Sequence, residues 1–190
     1  IERSGICMAM IGLLYALPNT QLTRRLISEG RLFQRVSQSF RDIDQTTSGL
    51  NFVTRISRTE ILNNFIRVIN AIYKPSNYYK RVIFTGLTIR PHYKHTPNFR
   101  TWLNYIRSFL RVCTKEGFHA ADGFYYWKML FTVVFRNPKG AEAAVNLAAM
   151  FIHFRKLKEY GVSLMQHTIG ELEKTGEEAY CARMMGIVRE

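Results

Sequence analysis

The chain has 190 residues, with 27 Lys or Arg against 14 Asp or Glu, a formal net charge of +13 at pH 7. That length suits one domain, or one with an appendage, and buries a sizeable core without staples. The three cysteines, Cys7, Cys113 and Cys181, are odd in number and far apart, which argues against a disulfide framework or a C-x-x-C zinc site.

Buried thiols in a reducing cytosol, and a cytoplasmic location, follow from that cysteine usage. No signal-peptide pattern is present and no apolar run is long enough for a transmembrane segment. The nearest, Phe124 to Phe135, is short and interrupted by Lys128. An opening at Ile1 instead of Met gives the look of a piece of something longer. The charge is uneven: from Ile61 to Lys115 there is no Asp or Glu, while Glu171, Glu173, Glu177 and Glu178 crowd the tail. Such a field favours an anionic partner.

In chain order, Ile6 to Leu17 is short, continuous and apolar, stopped by Pro18, and reads as a fully buried strand with no partner strand nearby. Gln21 to Ser28 reads as a helix, with Thr20 as N-cap and Gly30 just past its end. Gln34 to Asn51 is polar and aperiodic, a loop. Ser57-Arg58-Thr59-Glu60 reads as a capping box opening a helix that stops near Tyr73, ahead of Pro75. A second helix spans Ser76 to Thr88, with Gly86 as a weak point, and Arg90 to Asn98 is a proline-held loop.

Phe99 to Lys115 is amphipathic: Leu103, Ile106, Leu110 and Cys113 form a packing stripe, and Arg100, Asn104, Arg107, Arg111 and Lys115 a polar one. His119 to Phe135 is apolar nearly all round and is expected to be the central, most buried helix. Asn137 and Pro138 supply an N-cap and first-position proline for a helix through Tyr160, closed by Gly161. A last helix covers Ser163 to Met184, with Gly170 and Gly176 as weak points. No repeat or low-complexity segment occurs.

Two stretches carry a family likeness. Ala16, Leu17, Pro18, Thr20, Gln21 and Leu22, followed by Arg25, Leu26 and the run Glu29 to Leu32, resemble the "ALPGTQL" turn and "EGRL" helix end of cobalamin-binding radical SAM proteins, where the barrel ends and a C-terminal helical domain begins. "GLNF" from Gly49 and "IYKPSNYYKR" from Ile72 resemble the start of that uncharacterised domain. Asn19 replaces the usual Gly, and Asn is the residue that best tolerates positive φ in its place. The resemblance implies a parent with a 4Fe-4S cluster, S-adenosylmethionine and cobalamin; no cofactor is expected in this chain, which lacks the C-x-x-x-C-x-x-C triad a cluster needs.

Candidate sites are few. The barrel-end turn Pro18-Asn19-Thr20 opens a helix, a place where anions bind in many α/β folds, and equally a plain capped turn. Arg100, Arg107, Arg111 and Lys115 offer an anion or partner contact, with Tyr78, Tyr79, His92, Tyr93 and His95 as nearby aromatics, against the simpler account of a solvated face or one docked on the acidic side of the parent. His92, His95 and His119 make a thin metal set, so no metal is expected, and His153 reads as an ordinary helix residue. Phe124, Tyr125, Tyr126, Trp127 and Phe131 form a core unless a cavity of several hundred Å3 lies beside them, which would suit a lipid-like substrate or a peripheral lipid contact.

The expected fold is mainly α: an antiparallel, bundle-like helical domain with one leftover N-terminal barrel strand. Residues 1–33 would be the end of the barrel, 34–56 a linker loop and 57–190 the C-terminal helical domain. The expected role is a non-catalytic accessory domain of a cobalamin-dependent radical SAM enzyme, closing its active site or positioning substrate, and inactive alone. Its partner is the remainder of the parent chain, with a dimer through the orphan strand as a second contact. The alternative is a basic helical nucleic-acid-binding module.

Overall fold

The computed structural model describes residues 1, 4–33, 50–90, 98–118 and 123–186. Within them run α1 (Gln21–Ser28), α2 (Arg58–Ile72), α3 (Pro75–Thr88), α4 (Phe99–Val112), a π-helical turn (Cys113–Gly117), α5 (Gly123–Arg136), α6 (Ala141–Thr175) and α7 (Glu177–Met184). They form two compact units: Ile1–Ala9 with Asn70–Lys158, and Met10–Ile69 with Glu159–Glu190. The mainly helical expectation stands, and the barrel strand does not. Among the described residues there is no strand, only an isolated bridge between Leu32 and Phe52.

Ile6 to Leu17 is instead an irregular segment, several of whose backbone groups, with the preceding Gly5 carbonyl, find partners in each unit separately. In the first unit Thr85 donates to the Gly5 carbonyl at 3.1 Å and Tyr73 to that of Ala9 at 2.6 Å. In the second, the Asn51 side chain accepts from Ala16 N–H at 2.8 Å and donates to Ala16 C=O at 3.1 Å, as a neighbouring strand would. Leu50 N–H adds a bond to Leu14 C=O at 2.9 Å. With those groups partnered by side chains and single amides, no ladder is needed to keep them from being orphaned. Nor is the segment fully buried: Met10 is 88% and Leu14 59% exposed.

In the second unit α1 begins and ends where its caps dictate. Thr20 accepts from Thr23 N–H, Gly30 has φ 64°, and Arg31 N–H returns to Leu26 C=O. Asn19 adopts φ 63°, the conformation a glycine would supply. Leu50 also has a positive φ, 62°, a strained state for Leu. It is held by its amide bond to Leu14 and by the buried Arg58 guanidinium, which donates to Leu50 C=O at 2.9 Å and Phe52 C=O at 2.6 Å. Arg58 also lies over the Phe33 and Tyr180 rings at 5.0 and 5.7 Å. Burial pulls its pKa below the ordinary guanidinium value.

The start of α2 is capped from afar. Ser57 Oγ and Arg58 N–H both donate to the Glu177 carboxylate, at 2.9 and 2.7 Å, where a local bond between Ser57 and Glu60 was expected. A carboxylate there meets the free amides and positive end of the helix.

The core of the first unit joins α3, α5 and the first part of α6 through Tyr78, Val82, Tyr126, Met129, Val133 and Phe151, all unexposed. Gly86 earns its place by contact: a Cβ there would stand 2.9 Å from Val133 Cγ2 and 3.4 Å from Ala144 Cβ. A Cβ on Gly140 would collide with the Gly86 carbonyl. Asn137 does not cap its own helix; its amide donates to the carbonyls of Gly86 and Ile89 at 2.8 and 3.0 Å, closing the end of α3. Pro138–Gly140 is a short 3-10 turn before α6.

Two helix boundaries depart from expectation. α6 runs unbroken through Gly161, since one interior glycine costs only about 1 kcal/mol, and it stops at Gly176, where φ is 81°. α5 is not buried all round: Phe124, Phe131 and Phe135 are 73%, 53% and 80% exposed. Arg90 to Asn98 falls, apart from its two ends, outside the described residues, as do Gln34 to Gly49 of the expected loop and His119 of the expected helix.

Candidate functional site

The uncovered side of α5 borders a groove of about 860 Å3 in the first unit. Trp127, Phe131 and Phe135 recur every fourth residue along α5, so they stand in one row. Trp127 stacks with Phe131 at 5.8 Å and Phe131 with Phe135 at 6.3 Å. α4 contributes Tyr105 and Phe109, and α6 contributes Val145 and Ala149. Ser108, Glu142 and Asn146 are polar positions in an otherwise apolar lining. The volume lies within the range of small-molecule pockets, several hundred Å3, so the aromatic segment is not core alone.

Behind the groove the wall is tied together by polar contacts. Trp127 Nε1 donates to Gly117 C=O at 3.0 Å, pinning the aromatic row to the π-helical turn. That turn also carries Glu116, fully buried, whose Oε2 accepts from Tyr79 OH at 2.9 Å and whose Oε1 forms an ion pair with Arg155 at 2.9 Å. Tyr126 OH shares a 3.1 Å hydrogen bond with Cys113 Sγ. Burial pushes the Tyr78, Tyr79 and Tyr126 phenols well above their ordinary pKa, with the Glu116 charge adding to the effect at Tyr79. They therefore remain neutral donors. Sequence patterning missed this cluster: Glu116 looks like any polar residue at a helix end, and Arg155 lies far along the chain.

Arg100, Arg107, Arg111 and Lys115 are all exposed, along α4 and the π-helical turn. Pro18, Asn19 and Thr20 form a capped turn in the other unit, with Thr20 Oγ1 donating to Leu17 C=O at 2.8 Å. Tyr78 and Tyr79 are 0% and 1% exposed, so they offer no stacking surface. His92, Tyr93, His95 and His119 lie outside the described residues. His153 is exposed, edge-on to Phe154 at 5.8 Å.

The cysteines do not fit an iron-sulfur cluster. Cys7 is hydrogen-bonded to Thr85 at 3.2 Å and Cys113 to Tyr126, and all three cysteines are buried. Burial pushes the Cys7 and Cys181 thiols up, away from the thiolate a cluster requires. Among the described residues no three His, Cys, Asp or Glu side chains gather as a metal group, and no helix is long and apolar enough to cross a membrane.

A Synechocystis protein named as an uncharacterized methyltransferase is 27% identical over 170 residues, covering 90% of this chain and 30% of its own length. The chain thus spans under a third of that relative. No solved structure matches. Residues 20–165, more than half of the chain, match the family described as Domain of unknown function (DUF4070), and the chain belongs to that family.

Proposed function

We propose that the chain is a helical accessory domain of a larger methyltransferase, holding an apolar part of the methyl acceptor and leaving the chemistry to other segments. The groove of about 860 Å3 carries this reading: its aromatic and aliphatic lining suits a hydrocarbon portion, and its few polar positions suit orientation. The name of the Synechocystis relative, and the 30% of that protein spanned, support a part played beside other domains. The Ala16 to Leu22 and Glu29 to Leu32 motifs support a parent of the cobalamin-binding radical SAM type. In such a parent the iron-sulfur cluster, S-adenosylmethionine and cobalamin are held by other segments, and this domain closes one side of the active site or positions substrate.

Titration of the protein with a fluorescent fatty acid tests the groove. Saturable binding is expected, abolished by Ala149→Trp, which fills the space, with helicity unchanged by circular dichroism. Absence of saturable binding, or binding indifferent to Ala149→Trp, overturns the groove's role. Iron and sulfide reconstitution with S-adenosylmethionine should give no cluster absorbance, and a bound cluster would overturn the division of labour.

A further inference from the structure

α4 carries exposed side chains of two kinds, cationic and apolar. Counting about 100° per residue, Arg100, Arg107 and Arg111 fall within about 40° of one another. Leu110 and Phe99 lie about 60–120° round from them and Ile106, Tyr105 and Phe109 about 100–180° round, and no acidic residue interrupts the helix. In a finished soluble surface the apolar arc of such a helix faces the core. Here Phe99 is 75%, Leu110 54% and Tyr105 48% exposed, while all three arginines are exposed too. On α5, Phe131 and Phe135 extend the apolar surface at 53% and 80% exposure. An apolar area of this kind beside a cationic stripe marks an interaction surface.

The chemistry of the two arcs selects the occupant. A second copy of the chain would bring another +13 against the same arginines. A nucleic acid would satisfy the guanidinium groups and leave the phenylalanine and leucine arc in water. An anionic bilayer satisfies both at once: rings and aliphatic chains enter the boundary between headgroups and acyl chains, and guanidinium groups remain among the phosphates. At about 1.5 Å per residue the 14-residue helix is about 21 Å long, and its arcs lie along its sides, so it would rest flat in the interface.

We propose that α4, with the exposed aromatic row of α5 beside it, docks the protein onto the surface of an anionic bilayer. This surface shares Tyr105, Phe109, Phe131 and Phe135 with the groove lining, whereas Phe99, Arg107, Leu110 and Arg111, the positions changed in the test, lie outside it. The test is flotation of the full chain with vesicles of phosphatidylcholine alone and of phosphatidylcholine mixed with phosphatidylglycerol, at low salt. Strong co-flotation is expected only with the mixed vesicles. Arg107→Gln with Arg111→Gln should lower partitioning about 30-fold, from about fivefold per charge. Phe99→Ser with Leu110→Ser should abolish it, with helicity retained because both side chains are exposed. The proposal is overturned if the protein fails to float with mixed vesicles, floats equally with neutral ones, or is unmoved by either pair. Retardation of oligonucleotides or dimerisation without flotation overturns it as well.

Discussion

A guanidinium nitrogen of Arg155 lies 2.9 Å from a carboxylate oxygen of Glu116, a side chain with no exposure at all. The pair joins α6 to the π-helical turn behind the groove, and Tyr79 OH binds the other carboxylate oxygen. Removing one partner of a buried pair leaves a charge in a poorly solvating medium, which costs more than the pair itself contributes. Arg155→Met is therefore expected to destabilise the protein by about 3–5 kcal/mol, and Arg155→Met with Glu116→Gln to recover part of the loss. Urea unfolding of the two variants decides it, and equal stability of the single and double variants would contradict the expectation.

The same cluster sets an alkaline limit. The Tyr78, Tyr79 and Tyr126 pKa values are raised in the fold, chiefly by burial, from an ordinary value near 10. Above pH 10 the unfolded chain releases phenolic protons that the folded chain retains, so stability falls as pH rises. The contribution is fully present below pH 10. Each such phenol adds about 1.4 kcal/mol per pH unit to the decline, so Tyr79→Phe should shallow the stability profile between about pH 10 and 12. An unchanged slope in denaturation midpoints across that window would contradict the assignment.

Asn51 substitutes for a missing strand. Its amide meets both backbone groups of Ala16 while being 4% exposed, so Asn51→Leu leaves a buried donor and acceptor open. A loss of about 1–3 kcal/mol is expected. Faster amide hydrogen exchange at Ala16 should accompany it, since that N–H loses its acceptor.

Gly86→Ala poses two opposed effects. Helix propensity favours Ala by about 1 kcal/mol, but the new Cβ would stand 2.9 Å from Val133 in an unexposed part of the core. Overpacking typically costs about 1–3 kcal/mol, so net destabilisation is expected. Val133→Ala in the same chain should relieve part of it. A thermal midpoint raised by Gly86→Ala alone would show that propensity prevails.

Glu177→Ala should loosen the start of α2, where the carboxylate receives Ser57 Oγ and Arg58 N–H. A cap of this kind contributes about 1 kcal/mol. Glu60→Ala, removing the residue the sequence pattern nominates, should cost less, and the reverse order in urea midpoints would restore the local capping box.

Where the signal is local, the sequence carried it. Thr20, Asn19 and Gly30 bound α1 within a dozen residues, and the structure uses each in the predicted way. Phe99 opens α4 and Thr88 closes α3 as their patterns indicate. The basic stripe was also legible, because helical spacing alone puts Arg100, Arg107 and Arg111 on one side.

The sequence by itself determined a mainly helical chain with a cationic, acid-free middle, because periodicity, caps and charge act over one or two turns. Only the tertiary structure decided the rest. Ile6 to Leu17 carries a strand's composition, yet a strand needs a neighbour, and what reaches Ala16 is a side chain 35 residues away. α5 carries the composition of a fully buried helix, yet burial depends on what packs against each side. The α3 side of it is covered, and the Trp127, Phe131 and Phe135 row faces a groove. Glu116 became the best-shielded carboxylate in the described chain because Tyr79 and Arg155, distant in sequence, converge on it, and only folding sets which distant groups meet.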